Sequence, residues 1–361
     1  MNYNDIRRRT KRVKIKDKEI GGSADILIQS MTNTDTLDYD STIKQIKALE
    51  NAGCDIVRIT VPTIEAAKTI KKIKDSGVNV PIVADIHFDY RVALECVKYG
   101  VDKIRINPGN IGEDWKVREV TSACKSEGIP IRIGVNGGSL EKHILEKYSS
   151  PTPNALAESA FYHANLLEKF GFYDTVLSVK SSNVRNMILT NRIIAQNCDY
   201  PIHLGVTEAG DSYSGLVKSC AGVGSLLCDG IGDTIRISLT ADPCEEIRAA
   251  KELLCSLGFY NSGSIQVVSC PTCGRTKIDL IELSNKFKKA IKSIDTNGKD
   301  IKVALMGCVV NGPGEAKECD FGIAGGKGEA VLFRHGEIIG KIPEDKIIES
   351  LLDEIEIFKN K

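Results

Sequence analysis

The sequence is poor in aromatic residues, carries no net charge and contains no long apolar run. Of 361 residues only 6% are aromatic, with a single tryptophan, and 48 basic residues balance 48 acidic ones. A general nucleic-acid-binding protein would show a basic excess. No apolar run approaches the ~18 residues of a membrane-spanning helix, and the basic N-terminus lacks the apolar core of a secretory signal. We therefore expect a cytoplasmic protein that binds neither nucleic acid nor a membrane.

Cysteine, in contrast, is abundant, with 12 residues. A chain of this length needs no disulfides to fold, and without an export signal its thiols are expected to stay reduced. Eight cysteines lack metal-ligand spacing and resemble small buried hydrophobic residues: Cys54, Cys96, Cys124, Cys198, Cys220, Cys228, Cys244 and Cys255. The other four fall within the last hundred residues, which points to a function there: Cys270, Cys273, Cys308 and Cys319.

Short β-rich segments alternate with helical patterns through most of the chain. The eight predicted strands are 26–32, 55–62, 81–87, 103–109, 131–137, 175–181, 201–207 and 234–240. The intervening segments carry apolar residues at helical spacing and end at glycine, as in 41–53, 64–77 and 91–100. Eight strand–helix units in about 250 residues predict a (β/α)8 TIM-type barrel. A doubly wound sheet is the competing architecture, but no GxGxxG follows the first strand.

The regular alternation of predicted strands and helices ends at about residue 260. Strands are predicted at 264–269, 301–307, 329–336 and 337–342, with helices at 278–294 and 343–361, the last with proline at its start. This pattern predicts a small α+β domain after the barrel. We place the barrel domain at 1–258, the second domain at 264–361, and the linker at 258–263.

The predicted barrel strands have an unusual polar face. Side chains alternate along a strand with a period of two, and one face is apolar, as with Val57, Ile59 and Val61. Because this apolar face must pack on the helices, the other face must look into the barrel. That polar face comprises Arg58, Thr60, Asp85, His87, Arg105, Asn107, Arg132, Asn136, Ser178, Lys180, His203, Thr207, Arg236 and Ser238.

The cations on this face outnumber the acids. Asp85 is the main acidic residue among them, and Glu208 follows just beyond the seventh strand. One inward arginine could be a structural ion pair, but several buried cations without partners would be very costly. A phosphorylated ligand would supply the missing charge, and arginine matches phosphate oxygens well. We predict a small phosphorylated substrate at the carboxyl ends of the strands, oriented by Asn107, Asn136, Thr207 and Ser238.

The late cysteines have the spacing of a metal or cluster site. SCPTCGR contains Cys270 and Cys273, and MGCVVNGPGEA contains Cys308 followed by Glu315. With Cys319 as a fourth thiolate the set could form a zinc ribbon, although the spacing from Cys308 to Cys319 fits a zinc knuckle poorly. Three thiolates and one oxygen ligand fit a 4Fe-4S cluster with one distinguishable iron. The residues alone favour iron–sulfur and leave zinc open.

Several motifs together resemble one enzyme family, the 4-hydroxy-3-methylbut-2-en-1-yl diphosphate synthases. The motifs are SMTNTDT, VADIHFDYRVAL, KIRINPGNIG, IGVNGGSL, SVKSSN, HLGVTEAG, GDTIRISLT, CPTCGR and MGCVVNGPGEA. They cover nearly the whole chain. No large insertion separates the two domains, as in the shorter bacterial form of the family.

The resemblance implies an iron–sulfur oxidoreductase of the methylerythritol phosphate pathway of isoprenoid biosynthesis. Its substrate would be 2-C-methyl-D-erythritol 2,4-cyclodiphosphate, which is reduced, opened and dehydroxylated to (E)-4-hydroxy-3-methylbut-2-en-1-yl diphosphate. A 4Fe-4S cluster would be held by Cys270, Cys273, Cys308 and Glu315, the last being exchangeable. Reduced flavodoxin or ferredoxin would supply electrons. The enzyme would be a head-to-tail homodimer in which the cluster domain of one chain caps the barrel of the other.

The resemblance also assigns roles inside the barrel. Diphosphate contacts carry over onto Arg58, Arg105, Asn107, Arg132, Asn136, Lys180, Arg236 and Ser238. Glu208 matches the family's acid near the substrate hydroxyl, and Asp85 and His87 match its third-strand pair. The family assigns no role to Cys319. The rival hypothesis is a non-redox lyase or aldolase for a phosphosugar, with a structural zinc domain appended.

Overall fold

The structure, a computed structural model, describes residues 6–259, 263–292, 294–309 and 316–360. The chain forms two compact units, Met1–Phe259 and Tyr260–Lys361. Three residues of the predicted linker, 260–262, lie outside the described residues.

The first unit is a barrel of parallel strands. Its strands pair in the order β8-β7-β6-β5-β4-β3-β10-β9, and a bridge between Leu177 and Ile202 brings the two ends of the sheet together. The predicted (β/α)8 fold is therefore confirmed, and the doubly wound alternative is wrong. The strands are β3 (Leu27–Met31), β4 (Ile56–Thr60), β5 (Ile82–Asp85), β6 (Lys103–Ile106), β7 (Ile131–Asn136), β8 (Thr175–Lys180), β9 (His203–Leu204) and β10 (Thr234–Ile235).

Two of the predicted strands prove much shorter than their sequence pattern. The segments 201–207 and 234–240 contain only the two-residue strands β9 and β10. The two segments stay close just after these strands, since the Arg236 amide donates to the Leu204 carbonyl at 2.9 Å. Gly205 then lies so close that a Cβ atom there would be 2.9 Å from the Arg236 carbonyl oxygen. The regular ladder ends at this approach, and the following residues form the loops of the barrel rim.

Most helices of this unit begin at side chains that satisfy free backbone amides. Asp38 accepts from the Ser41 amide at the start of its helix. Thr152 and Asp242 each accept from an amide in the first turn of their own helices, both of which open with proline. The predicted helix 64–77 is divided at Lys68 into two. The helices are α1 (Tyr39–Asn51), α2 (Ile64–Ala67), α3 (Thr69–Asp75), α4 (Tyr90–Lys98), α5 (Pro108–Ile111), α6 (Asp114–Glu127), α7 (Lys142–Tyr148), α8 (Pro153–Lys169), α9 (Val184–Asn197), α10 (Ser212–Cys228) and α11 (Pro243–Ser256).

An N-terminal hairpin, absent from the sequence prediction, closes the barrel at the amino ends of its strands. It consists of β1 (Val13–Ile15) and β2 (Lys18–Ile20), paired antiparallel. Its buried side chains pack with inward-facing residues near the start of four barrel strands, forming one apolar layer: Val13, Ile15, Ile20, Leu27, Ile56, Val83 and Val176. These side chains make part of the lower interior of the barrel apolar.

In its described residues, the second unit is a five-stranded mixed sheet with two α-helices. Its strands follow the order β11-β12-β13-β14-β15, the first three parallel and the remainder antiparallel. Its elements are β11 (Ile265–Ser269), α12 (Leu280–Ala290), β12 (Ile301–Met306), β13 (Phe321–Gly325), β14 (Glu329–Arg334), β15 (Glu337–Pro343) and α13 (Ile347–Lys359). The predicted α+β class is confirmed.

Two details of this unit differ from the sequence prediction. Strand β13 was not predicted, because all five of its residues are buried and the segment shows no alternation. Pro343 ends β15 and does not start the last helix, since a short 3-10 turn over Glu344–Lys346 intervenes.

The hairpin generates a stability prediction. Ile15 is fully buried in the apolar layer, so Ile15→Ala should lower the free energy of unfolding by about 2–5 kcal/mol. Lys14→Ala, on the exposed face of the same strand, should change it by less than about 0.5 kcal/mol. Urea unfolding can be followed by the fluorescence of Trp115, the chain's single tryptophan, which lies in the barrel. Equal effects of the two variants would show that the hairpin does not stabilise the barrel.

Candidate active site

A polar cavity of about 350 Å³ opens among the carboxyl ends of the barrel strands. The inward-facing positions deduced from the period-two pattern converge there from neighbouring strands. All but one of the barrel residues predicted for the site line this cavity: Arg58, Asp85, His87, Arg105, Arg132, Asn136, Lys180, Thr207, Glu208, Arg236 and Ser238.

Asn107 is the exception, because its side chain is engaged in the rim. Its Oδ1 accepts from the Gly109 amide at 3.0 Å, capping α5, and its Nδ2 donates to Ser139 Oγ at 2.8 Å. Ser139 Oγ in turn donates to the carbonyl oxygen of Asn136 at 3.1 Å. Asn107 thus ties the loop after β6 to the end of β7 and is not among the residues that line the cavity.

Asp85 is the acidic centre of one side of the cavity. Arg105 Nη1 lies 3.1 Å from Oδ1, and Arg58 Nε lies 3.6 Å from Oδ2. Burial alone would raise the pKa of Asp85, but the charges of Arg58 and Arg105 outweigh it and hold the pKa below its ordinary value. Asp85 therefore stays ionised and orients two arginines. His87 Nε2 lies 3.5 Å from Arg105 Nη1 at the same end.

Two glycines, one inside β7 and one directly after β9, make room for cations of the site. A Cβ atom on Gly134 would lie 2.6 Å from Arg105 Nη2, and one on Gly205 would lie 3.3 Å from Lys180 Nζ. The guanidinium of Arg105 therefore lies directly over the backbone of β7. The sequence contained a signal for Gly134, since it lies between Arg132 and Asn136 on the inward face, but sequence reasoning missed it.

Arg58 and Arg132 also have weak or incomplete polar partners. Arg58 Nη2 donates to the thioether of Met31 at 2.8 Å, and sulfur is a weak acceptor. Arg132 Nη1 donates to Gln29 Oε1 at 2.8 Å, while its buried Nε has no partner among the described residues. Burial, reinforced by neighbouring cations, lowers the pKa of both Arg132 and Lys180 well below their ordinary values. An anion in the cavity would relieve this shortage of negative charge.

Glu246 lines the same cavity and was missed by sequence reasoning. It lies in the first turn of α11, and its carboxylate is held by Arg236 and Ser30, with Oε2 3.1 Å from Arg236 Nε and 2.8 Å from Ser30 Oγ. The strand pattern could not find it, because it comes from a helix. A signal was available, because Glu246, Ala250 and Leu253 recur at i, i+4 and i+7 and so lie on the buried face of an amphipathic helix.

Glu208 is in the loop after β9 and has a left-handed backbone, with a φ of 53°. Such a conformation is uncommon for residues other than glycine and recurs at functional sites. The loop is fixed to the next one, because the Thr240 amide donates to the Gly210 carbonyl at 3.1 Å. Glu208 is therefore presented to the cavity by a constrained backbone.

In the second unit, two of the predicted cluster ligands follow adjacent parallel strands. Cys270 comes after β11 and Cys308 comes shortly after β12. The Gly307 amide donates to Cys270 Sγ at 3.2 Å. Cys273 is exposed, and a hydrogen bond from the Arg275 backbone lowers the pKa of its thiol. The hydrogen bond at Cys273 favours the thiolate that a metal or cluster requires.

Glu315 and Cys319 are the other residues considered for the cluster. Glu315 lies outside the described residues. Cys319 is buried in a small apolar cluster with Met306 and Phe333, and burial raises the pKa of its thiol. Within the described ranges, no three cysteine, histidine or acidic side chains converge closely enough to bind a single metal ion.

Of the helices in the described parts of the chain, none combines the length and apolarity that crossing a bilayer requires.

Comparison with known proteins identifies relatives along nearly the whole chain. Residues 10–251 match the family model described as GcpE TIM-barrel domain, and residues 266–357 match GcpE protein C-terminal domain. The chain is 56% identical over 97% of its length to the 4-hydroxy-3-methylbut-2-en-1-yl diphosphate synthase (flavodoxin) of Clostridium perfringens, covering 99% of that protein. It is 54% identical over 96% to the Fusobacterium nucleatum protein of the same name, covering 96% of that protein.

Solved structures show a likeness of fold alone. The N-acetylneuraminic acid synthetase of Leptospira borgpetersenii aligns with a TM-score of 0.50 at 10% identity, covering 80% of this chain and 99% of that one. The family models and the close relatives, in contrast, confirm the resemblance drawn from the motifs. The chain therefore belongs to the GcpE family, that of the 4-hydroxy-3-methylbut-2-en-1-yl diphosphate synthases.

Proposed function

We propose that this chain catalyses the reductive ring opening and dehydroxylation of 2-C-methyl-D-erythritol 2,4-cyclodiphosphate to (E)-4-hydroxy-3-methylbut-2-en-1-yl diphosphate. The observation that carries the proposal is the cavity with cations from five barrel strands: Arg58, Arg105, Arg132, Lys180 and Arg236. A cyclic diphosphate is small enough and charged enough to suit such a cavity. The family is one of oxidoreductases, and family membership gives no support to the non-redox lyase or aldolase.

The arginines would bind the diphosphate and stabilise it as the ring opens. Breaking the ring C–O bond leaves additional negative charge on the phosphate oxygens, and fixed cations favour that change. Arg105 and Arg58 are oriented for this by Asp85. Asn136, Thr207 and Ser238 line the cavity and would hydrogen-bond the oxygen atoms of the substrate, whereas Asn107 would act through the loop it holds.

Loss of the hydroxyl as water requires a proton. Asp85 is poorly suited to supply it, because its arginine partners hold its pKa low. Glu208 also lines the cavity, and its constrained backbone presents it to the ligand. We therefore assign the proton transfer to Glu208, with His87 beside Arg105 as a further polar contact.

A 4Fe-4S cluster would be held by Cys270, Cys273 and Cys308, with Glu315 as the fourth ligand. The donor set fits such a cluster, because the Gly307 amide donates to the Cys270 sulfur and the Arg275 backbone lowers the pKa of the Cys273 thiol. Thiolates that bind the corners of a cluster need not converge on one point as they would around a single zinc ion. When bound, the cluster would supply the low-potential electrons of the reduction.

The donor, compartment and assembly belong to the same proposal. We take reduced flavodoxin as the electron donor, as the names of the relatives support, with ferredoxin as the alternative. None of the twelve cysteines, all of which are among the described residues, forms a disulfide, which supports a reducing cytoplasmic compartment. The head-to-tail homodimer rests on the family resemblance.

The cluster assignment is tested by substituting cysteines. Cys308→Ser should lose the cluster and reduce turnover of the cyclic diphosphate to background, because a serine hydroxyl of high pKa replaces a thiolate ligand. Cys319→Ala is the control and should keep both, since Cys319 is buried in the apolar core. Iron and sulfide content of anaerobically purified protein and turnover with an artificial reductant measure the outcome. Cluster loss in Cys319→Ala would make the ligand assignment wrong.

The role of Arg105 is tested through the glycine beneath it. Gly134→Ala should displace the guanidinium and raise the KM for the cyclic diphosphate by about 10- to 100-fold, the size of one charge-assisted contact. Gly138→Ala meets no atom within 4 Å and should leave KM unchanged. Iron content should be unchanged in both variants. A normal KM in Gly134→Ala would remove Arg105 from substrate binding.

The homodimer is tested by complementation. Arg132→Ala disables the proposed substrate site and Cys308→Ser disables the proposed cluster site, so each variant alone should be inactive. Mixed dimers should recover activity, because one composite site then combines an intact barrel with an intact cluster. Tagged purification can establish that mixed dimers have formed. Mixed dimers without activity would argue that each chain uses its own cluster.

A further inference from the structure

Glu246 is an acid in a cavity whose ligand is proposed to be an anion. The cavity is lined by five arginine or lysine side chains and by three acids, Asp85, Glu208 and Glu246. Only 3% of Glu246 is exposed. An acid here reduces the attraction of the cavity for a diphosphate, so its presence calls for an explanation beyond substrate affinity.

The carboxylate of Glu246 forms two hydrogen bonds with one edge of the Arg236 guanidinium. Oε2 accepts from Arg236 Nε at 3.1 Å and Oε1 accepts from Arg236 Nη2 at 3.2 Å, a two-point contact. Among the described residues, the remaining nitrogen, Nη1, contacts only the thioether of Met31 at 3.7 Å, a weak acceptor. Glu246 therefore fixes the direction of the guanidinium and leaves Nη1 available to a ligand.

The same carboxylate is tied to the barrel on both sides of Arg236. Its Oε2 accepts from Ser30 Oγ at 2.8 Å, and its Oε1 accepts from the Leu239 amide at 3.1 Å. The next amide, of Thr240, donates to the Gly210 carbonyl in the loop that carries Glu208. With four donors around it, the carboxylate has no freedom to turn away from Arg236.

Charge gives this arrangement a consequence for turnover. Both the substrate and the product of the proposed reaction carry a diphosphate, and a site that binds both equally tightly gains nothing in rate once it is saturated. A fixed negative charge near Arg236 weakens the binding of any diphosphate, product included. The two-point contact meanwhile keeps the arginine aligned.

We propose that Glu246 is a positioning residue that acts through Arg236, directing Nη1 toward the diphosphate and limiting the affinity of the cavity for diphosphates so that product can leave. The inference rests on the proposed function, because it requires a diphosphate in the cavity. The simpler reading is that Glu246 only joins α11 to the barrel. That reading predicts altered stability without an altered affinity for anions.

Two substitutions separate the charge of Glu246 from its shape. Glu246→Gln keeps the length of the side chain and removes the charge, while Glu246→Asp keeps the charge and is too short to hold both nitrogens of Arg236. Asp102→Asn is the matched control, since Asp102 also pairs with a lysine, Lys74, and accepts from a backbone amide, that of Ile82. Asp102 does not line the cavity.

The probe is inorganic pyrophosphate, titrated calorimetrically into the full chain purified anaerobically, with kcat and KM for the cyclic diphosphate measured alongside. Glu246→Gln should bind pyrophosphate roughly tenfold tighter than wild type, by loss of a nearby like charge, and should lower KM and kcat together. Glu246→Asp should bind it within about threefold of wild type and lower kcat, through the misaligned arginine. Asp102→Asn should change stability alone.

The outcomes separate this inference from the function on which it rests. If wild type binds pyrophosphate but Glu246→Gln binds it equally or less tightly while folding normally, the counter-charge role is overturned. If Glu246→Asp retains wild-type kcat, the positioning role is overturned. If wild type does not bind pyrophosphate, the diphosphate site itself is overturned, and this inference with it.

Discussion

The constraint on which the rest of the barrel depends is the concentration of positive charge inside a closed parallel sheet. Five cationic side chains point into one cavity, and burial lowers the pKa of several of them. Several surrounding residues compensate for this positive charge or make room for it. Asp85 and Glu246 supply negative charge, Gln29 and Met31 supply neutral acceptors, and Gly134 and Gly205 provide room. The remaining shortage of negative charge is what makes the cavity suitable for an anionic ligand.

The barrel separates the tasks of stability and binding along its axis. Near the amino ends of the strands, the hairpin and the inward-facing aliphatic side chains form a buried apolar layer. Above it the interior is polar and costly to bury without a ligand. The apolar layer, together with the packing of the outward face on the helices, offsets that cost. The barrel thus combines a polar site with incompletely paired charges at the carboxyl ends of its strands and an apolar layer at their amino ends.

Both units place their proposed functional residues by the same rule of parallel strands. In the barrel, carboxyl ends of neighbouring strands bring arginines together, and in the second unit, the ends of β11 and β12 carry Cys270 and Cys308. Loops after parallel strands meet at one edge of a sheet, which is where binding sites of α/β proteins form. In the proposed reaction, the barrel binds and neutralises the diphosphate while the second unit supplies the electrons, and Glu246 limits how tightly the barrel holds it.

The sequence by itself determined the fold class and the inward face of the barrel, because side-chain alternation has a period of two in any strand. It therefore located Arg58, Arg105, Arg132, Lys180 and Arg236 on one surface, and CxxC spacing singled out the late cysteines. It did not reveal the engagement of Asn107 with Ser139, the shortness of β9 and β10, or the fully buried strand β13. Glu246 and Gly134 were also missed, although each had a signal in the sequence. Periodicity states which face a residue occupies, but only the tertiary structure decides which side chains from distant segments meet, since that depends on the closure of the barrel and on distances no local pattern encodes.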